Sequence, residues 1–222
     1  MLRSVSALSL ACVLLSACAG GPTRKFSPEH LSALPGKTLV GAETPAPAFV
    51  HMTPAHGMMG GMGYIMAASQ ADVFTKANGI VDPSPGIEKR IKATLARVGA
   101  GVEGDSISIA NHGDKEILPK LPSTLIVDAR TTDWQYIYLP FDWGRYQVLY
   151  RSRTQLIDGE TSEVQGEHHC FLRAPEDGKN APTEPELLLN GSQLLNSMLT
   201  TMADQCAAQF ETEVLGITAA AP

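Results

Sequence analysis

The chain has 222 residues, of which 44% are hydrophobic and 18% charged, and carries a formal charge of −6. An acidic chain without a run of Lys and Arg excludes a nucleic-acid binder, which neutralises phosphates with clustered cations. No apolar run reaches the ~20 residues that a membrane-crossing helix needs, while the length suffices for one domain with its own core.

Residues 1–17 read as a signal peptide. Arg3 is a short positive n-region, and Val5 to Leu14 has the length of an apolar h-region. The run closes on Leu15-Ser16-Ala17-Cys18. This tetrapeptide resembles the lipobox of bacterial lipoproteins. The resemblance implies cleavage before Cys18, a diacylglyceryl thioether on its sulfur and an acylated amino group. Attachment to a membrane through lipid on Cys18 follows. A thiol is the nucleophile that thioether formation needs, and small residues before it fit a peptidase pocket. Each buried acyl CH₂ adds ~0.8 kcal/mol and one chain holds only marginally, so several chains make the anchor firm. Ala19, where an acidic residue would resemble an inner-membrane retention signal, points to the outer membrane facing the periplasm. Loss of Arg3 with the signal takes the formal charge from −6 to −7.

Of four cysteines, Cys12 leaves with the signal and Cys18 takes the lipid. Cys170 and Cys206 remain, and in an oxidising envelope two cysteines read as one disulfide. They lack the CxxC spacing and cationic neighbours of a reactive pair.

Residues 18–54 read as a tether. Six prolines, at 22, 28, 35, 45, 47 and 54, are interspersed with Gly and Ala, a composition that favours extended chain. A domain over 55–216 follows, with a flexible tail at 217–222. Ile65 to Asn78 reads as a helix with Ile65, Met66, Ser69, Val73 and Ala77 near one face and a stop at Asn78-Gly79. A second helix starts at Asp82-Pro83 or Ser84-Pro85. It carries Ile87, Ile91, Leu95 and Val98 at helical spacing and ends at Gly99 and Gly101.

Residues 102 to 174 read as β. Val102 to Ile109 holds a short strand. Leu125, Val127 and Ala129 form one alternating face, and Trp134, Tyr136 and Tyr138 the next. After a turn at Pro140-Phe-Asp-Trp-Gly144, Arg145–Ile157 and Thr161–Arg173 make a long hairpin across Asp158-Gly159-Glu160. Its apolar faces, Tyr146, Val148, Tyr150 and Leu156 against Val164, Gly166, Cys170 and Leu172, match only if even numbers oppose even ones. That predicts a three-residue connection pairing 157 with 161, a bulge, and positive φ at Gly159 or its neighbour. The last helix carries Leu195, Leu199, Met202, Cys206, Phe210 and Val214 on one stripe, with Gly191-Ser192 as its cap. Cys206 and Cys170 therefore both face the core, which supports a strand-to-helix disulfide worth roughly 3–4 kcal/mol.

This order, without βαβ alternation, predicts an α+β fold. It would hold an antiparallel sheet of about four strands, helices packed mainly on one face, and a long C-terminal helix. From Asp82-Pro83 onward the chain is similar to uncharacterised bacterial envelope lipoproteins. The similarity rests on Thr132-Asp133-Trp134, the Tyr146-to-Leu156 strand with Asp158 at its turn, and Cys170 with Cys206. It brings no catalytic residues with it.

Five of the eight methionines fall between 52 and 66. His51, His56, Met58, Met59, Met62 and Met66 form a candidate metal set, because soft thioethers with imidazole suit Cu(I). The alternative is that these methionines fill irregular core space. In Glu167-His168-His169, strand alternation turns His168 to the core and His169 to the wet face, so the two do not chelate together. The chain has no GxSxG and no phosphate-binding loop ending in Lys-Ser/Thr. Trp134, Tyr136, Tyr138, Phe141 and Trp143 gather aromatics near one end of the sheet, where an exposed subset would mark a binding surface. The expectation is a lipid-anchored envelope protein with no cofactor, a non-enzymatic accessory or binding subunit that docks another envelope protein. The alternative is a small-ligand or Cu(I)-binding lipoprotein.

Overall fold

The computed structural model describes residues 23–99, 104–108 and 120–217. The signal peptide, Cys18 and residues 218–222 lie outside the described residues. The fold is α+β. Its helices are α1 (Pro28–Ser32), α2 (Pro54–Met58), α3 (Gly61–Ser69), α4 (Ala71–Asn78), α5 (Ser84–Arg97) and α6 (Glu184–Glu213). Its strands are β1 (Thr38–Glu43), β2 (Val50–Met52), β3 (Ile107–Ser108), β4 (Thr124–Leu139), β5 (Asp142–Asp158) and β6 (Val164–Ala174).

The strands form one sheet in the order β3-β1-β4-β5-β6, with β2 beside the far half of β4. The three long strands are antiparallel, as expected. The sheet has six strands rather than four, and β1 and β2 both run parallel to β4. Both added strands come from residues 18–54, expected as a tether. From Thr23 onward that segment belongs to the fold. Pro28 and Pro54 open α1 and α2, and Pro35, Pro45 and Pro47 lie between elements, while Phe26, Leu34, Leu39, Val40, Phe49 and Val50 are buried. Six apolar side chains removed from water outweigh the extended preference of the intervening prolines.

The core lies on one face of the sheet, between Leu125, Val127, Tyr136, Val148 and Tyr150 on the strands and the inner stripes of α5 and α6. Leu125, Val127 and Ala129 are odd-numbered, yet Trp134 and Tyr136 continue the same face as even ones. A register shift between Thr131 and Asp133 makes the switch, so the extra residue in Thr132-Asp133-Trp134 is a bulge. In α5 the Asp82 carboxylate accepts hydrogen bonds from the Ser84 amide (3.1 Å) and hydroxyl (2.7 Å). Ile87, Ile91 and Leu95 are buried as the periodicity predicts, while Val98 is exposed at the helix end.

The β5–β6 hairpin keeps the predicted parity with a different register. Leu156 opposes Gly166, Ser152 opposes Cys170 and Tyr150 opposes Leu172. The connection is longer than three residues, because Ile157 opposes Val164 and the extra residue falls between Leu156 and Ile157 on the β6 side. Ser162, not Gly159, takes positive φ. Asp158 holds this turn. Its Oδ1 accepts from the Glu160 and Thr161 amides at 3.1 and 3.0 Å, and its Oδ2 meets Lys37 Nζ at 2.7 Å. Burial pushes the Asp158 carboxyl up, but Lys37 and the turn amides outweigh it and hold the group at about 2.

Cys170 and Cys206 form the disulfide, Cα–Cα 5.6 Å, tying β6 to α6. Helix α6 is interrupted at Leu189–Ser192, where Asn190, Gly191 and Ser192 all have positive φ. The long core-packing helix therefore starts after Ser192, as its expected cap position required. The Ser192 hydroxyl is buried without a hydrogen-bond partner and caps nothing. Helices α5 and α6 are joined by a buried charge: Arg90 donates to Glu211 from Nε (3.2 Å) and Nη2 (2.6 Å), and the Thr94 hydroxyl donates to the same carboxylate at 2.6 Å.

Candidate docking surface

The Met/His stretch occupies the end of the sheet where β4 finishes. Strand β2 runs parallel to β4 and places Met52 beside Ile137, so the chain leaves the sheet there and turns into α2. Thr53 opens α2: its Oγ1 accepts from the His56 amide at 3.4 Å. His56 Nδ1 lies 3.0 Å from the His51 carbonyl oxygen and 3.5 Å from the Thr53 amide nitrogen.

What was expected as one helix over 65–78 is two, α3 and α4, broken at Gln70. The inner face is made of small residues. Gly63, Ala67 and Ala71 are buried, whereas Met58, Met62, Ile65 and Val73 are 81, 64, 64 and 75% exposed. Close approach is the reason. A Cβ on Gly63 would stand 1.9 Å from the His56 carbonyl oxygen, and one on Gly57 1.9 Å from the Tyr138 hydroxyl. Only small residues fit beneath α2 and α3, so the large apolar ones are turned outward. Met59, Tyr64 and Met66 are exposed with them. The alternative that the methionines fill core space is thereby corrected for Met58, Met59, Met62 and Met66.

The candidate metal set is divided by the same geometry. His51 is buried and stacks on Phe74 with ring centroids 3.9 Å apart. Burial, and then the neighbouring His56, lower its pKa below the usual imidazole range. His56 lies beside it, ring centroids 5.2 Å apart. Met58, Met59, Met62 and Met66 are exposed to solvent. Among the described residues no group of three His, Cys, Asp or Glu side chains is placed to hold a metal ion.

Beneath the patch lies an aromatic cluster of Phe49, Phe74, Trp134, Tyr136 and Tyr146. Tyr136 donates to Glu184 Oε1 at 2.6 Å, and burial together with that carboxylate raises its pKa far above the usual phenol range. Of the aromatics concentrated near this end, Trp134 and Tyr136 are core, while Phe141 and Trp143 at the β4–β5 turn are 102 and 59% exposed. Leu189 and Leu194 of α6 are exposed too. The sequence signal for the patch was the density of methionine and glycine, but glycine's effect on which face turns inward was not legible.

His168 is buried between Thr23 Oγ1 (3.3 Å) and Gln209 Oε1 (3.4 Å), and His169 faces Glu167 at 3.2 Å, as their alternation predicts. A groove of about 730 Å³ between β6 and α6 is lined by Leu172, Arg173, Met198, Met202 and Gln205 among others. A hollow of about 310 Å³ lies at the α6 interruption, beside Glu186 and Asn190. Histidine lines neither of them.

No protein-family model matches the chain, and no curated protein matches it. Solved structures align with it distantly. A PelC dodecamer from Paraburkholderia phytofirmans aligns at 10% identity and TM-score 0.37, over 88% of this chain and 96% of that one. The hypothetical protein CT253 from Chlamydia trachomatis aligns at 11% and 0.34, over 81% and 99%. Lipoprotein GNA1162 from Neisseria meningitidis aligns at 11% and 0.23, over 76% and 99%. At these scores the alignments assign this chain neither activity nor partner.

Proposed function

We propose that the chain is a lipid-anchored protein of the bacterial cell envelope, held through Cys18 at the outer membrane and facing the periplasm. Its role is that of a non-enzymatic accessory subunit that docks another envelope protein. The observation that carries the docking role is the outward-turned surface of α2 and α3. There Met58, Met59, Met62, Tyr64, Ile65 and Met66 are exposed within nine residues of sequence. Exposed apolar side chains in such density mark an interaction site, and methionine adapts its shape to a partner at little cost. The lipid anchor rests on the Leu15-Ser16-Ala17-Cys18 resemblance. In the described residues no helix is long and apolar enough to cross a membrane.

Cross-linking in living cells with the tagged full chain, read by mass spectrometry, tests the reading. The comparison variants are Met58→Gln with Met62→Gln and Ile65→Gln, and Cys18→Ser behind a conventional signal. A reproducible protein partner that is lost in the triple variant is the expected result. An unchanged cross-link pattern in the triple variant would remove α3 from the interface.

A second reading draws on the exposure of the same thioethers. Met58, Met59 and Met62 with His56 offer soft donors for Cu(I). His51, buried under Phe74, takes no part in it.

A further inference from the structure

The described residues carry thirteen exposed large hydrophobics, and all but Val98 belong to α2–α4, the loop after α4, the β4–β5 turn and the start of α6. Two of them differ in kind from the rest. Phe141 and Trp143 stand on a tight turn between two long strands, β4 and β5, and not on a short helix. Phe141 has no cover at all. The Trp143 indole N–H donates to the Pro140 carbonyl oxygen of its own turn at 3.1 Å, so its ring needs no water to satisfy that group. A rigid strand pair ending in Phe and Trp, its indole donor already used, has the chemistry of a membrane-interface anchor.

The start of the described chain says which way the bilayer lies. Arg24 forms an antiparallel bridge with Glu167, exchanging both backbone hydrogen bonds at 2.8 and 2.9 Å. Thr23, one residue earlier, reaches His168. From Arg24 to Thr23 the backbone runs along β6 toward Ala174, the end of the sheet that carries the β4–β5 turn. Between Cys18 and Thr23 there are five peptide steps, which span at most ~17 Å. From the level of His168, opposite Thr154, to Asp142 at the turn is twelve residues of β5, or ~40 Å. A linker of that length cannot let the sheet stand upright on its tip. Cys18 and the turn can meet one bilayer together only with the sheet lying along it.

We infer that the β4–β5 turn inserts Phe141 and Trp143 into the interface of a phospholipid bilayer. This rests on the Cys18 anchor proposed above, and leaves the methionine face of α3 to the protein partner.

The full chain, purified from envelopes, is reconstituted into phosphatidylethanolamine–phosphatidylglycerol vesicles with acyl chains brominated near the glycerol. Trp134 is buried, so the fluorescence difference between the native chain and Trp143→Phe isolates Trp143. We expect the bromines to quench at least half of that difference, and vesicles to cut acrylamide quenching of Trp143 several-fold. Phe141→Ser should reverse much of both effects while the circular dichroism stays native. If mass spectrometry finds lipid on Cys18 and Trp143 remains as open to acrylamide as in the Cys18→Ser soluble form, the insertion is wrong and the anchor stands. If Cys18 carries no lipid, the anchor fails, and the same quenching on the unmodified chain decides the insertion: quenched supports it, unquenched overturns it.

Discussion

Helices α5 and α3 begin from similar sequence material and end in opposite situations. Each carries branched or long apolar residues at helical spacing. In α5, Ile87, Ile91 and Leu95 are buried against the sheet; in α3, Met62, Ile65 and Met66 face out, and glycine and alanine face in. The difference is distance. Helix α5 has room for a full layer of side chains above β4. Helix α3 packs on α2 so closely that a single Cβ at Gly63 meets backbone oxygen. Hydrophobic periodicity tells where an apolar stripe lies, but the space available decides whether that stripe or its opposite is the inner one.

This contrast can be broken from either side, and the expected effects run from large to negligible. Ile91→Ala opens a cavity in the α5 layer and should cost about 3–4 kcal/mol in urea unfolding. Arg90→Met leaves the buried Glu211 carboxylate with the Thr94 hydroxyl but without its guanidinium and should cost about 3 kcal/mol, since an unmatched buried charge is expensive. Gly63→Ala should cost about 2 kcal/mol, with faster hydrogen exchange confined to α2 and α3. A Gly63→Ala chain that is as stable as the native one would refute the close-approach account. Met58→Gln, Met62→Gln and Ile65→Gln together should shift stability by less than about 1 kcal/mol, because surface positions contribute little. Equivalent polar changes at Ile87 and Leu95 should abolish folding.

Away from that contrast, Lys37→Met should cost about 1–2 kcal/mol at neutral pH by releasing the Asp158 carboxylate. The sign follows from Asp158, whose folded pKa of about 2 lies below the ordinary 3.8. A carboxylate with a depressed pKa adds stability above its unfolded value and loses it as pH falls through the folded one. The native and Lys37→Met curves should therefore stand apart above pH 4 and converge toward pH 2. Curves that stay parallel through that range would remove the Lys37–Asp158 pair from the explanation.

Much of the candidate surface was visible as composition, in the methionines between 52 and 66, but its exposure was not. Likewise, the aromatic run from Trp134 to Trp143 was evident, and the structure divides it into two core rings, the half-buried Tyr138 and two exposed rings. His51 looked like a ligand because histidine beside methionine is chemically plausible; stacking on Phe74, 23 residues away, makes it a core residue.

The sequence by itself determined the elements whose signal is local. Its 3.6-residue stripes specified α5 and the long second half of α6, and its two-residue alternation specified β4, β5 and β6. Parity alone brought Cys170 and Cys206 to the same side. Tertiary structure decided whatever depends on residues distant in the chain. Strands β1 and β2 are short and flanked by prolines, and they become strands because β4 offers them a partner more than 80 residues away. The bulge position beyond Leu156 and the inner face of α3 belong to the same class. In each, the local pattern admits two solutions, and long-range packing selects one.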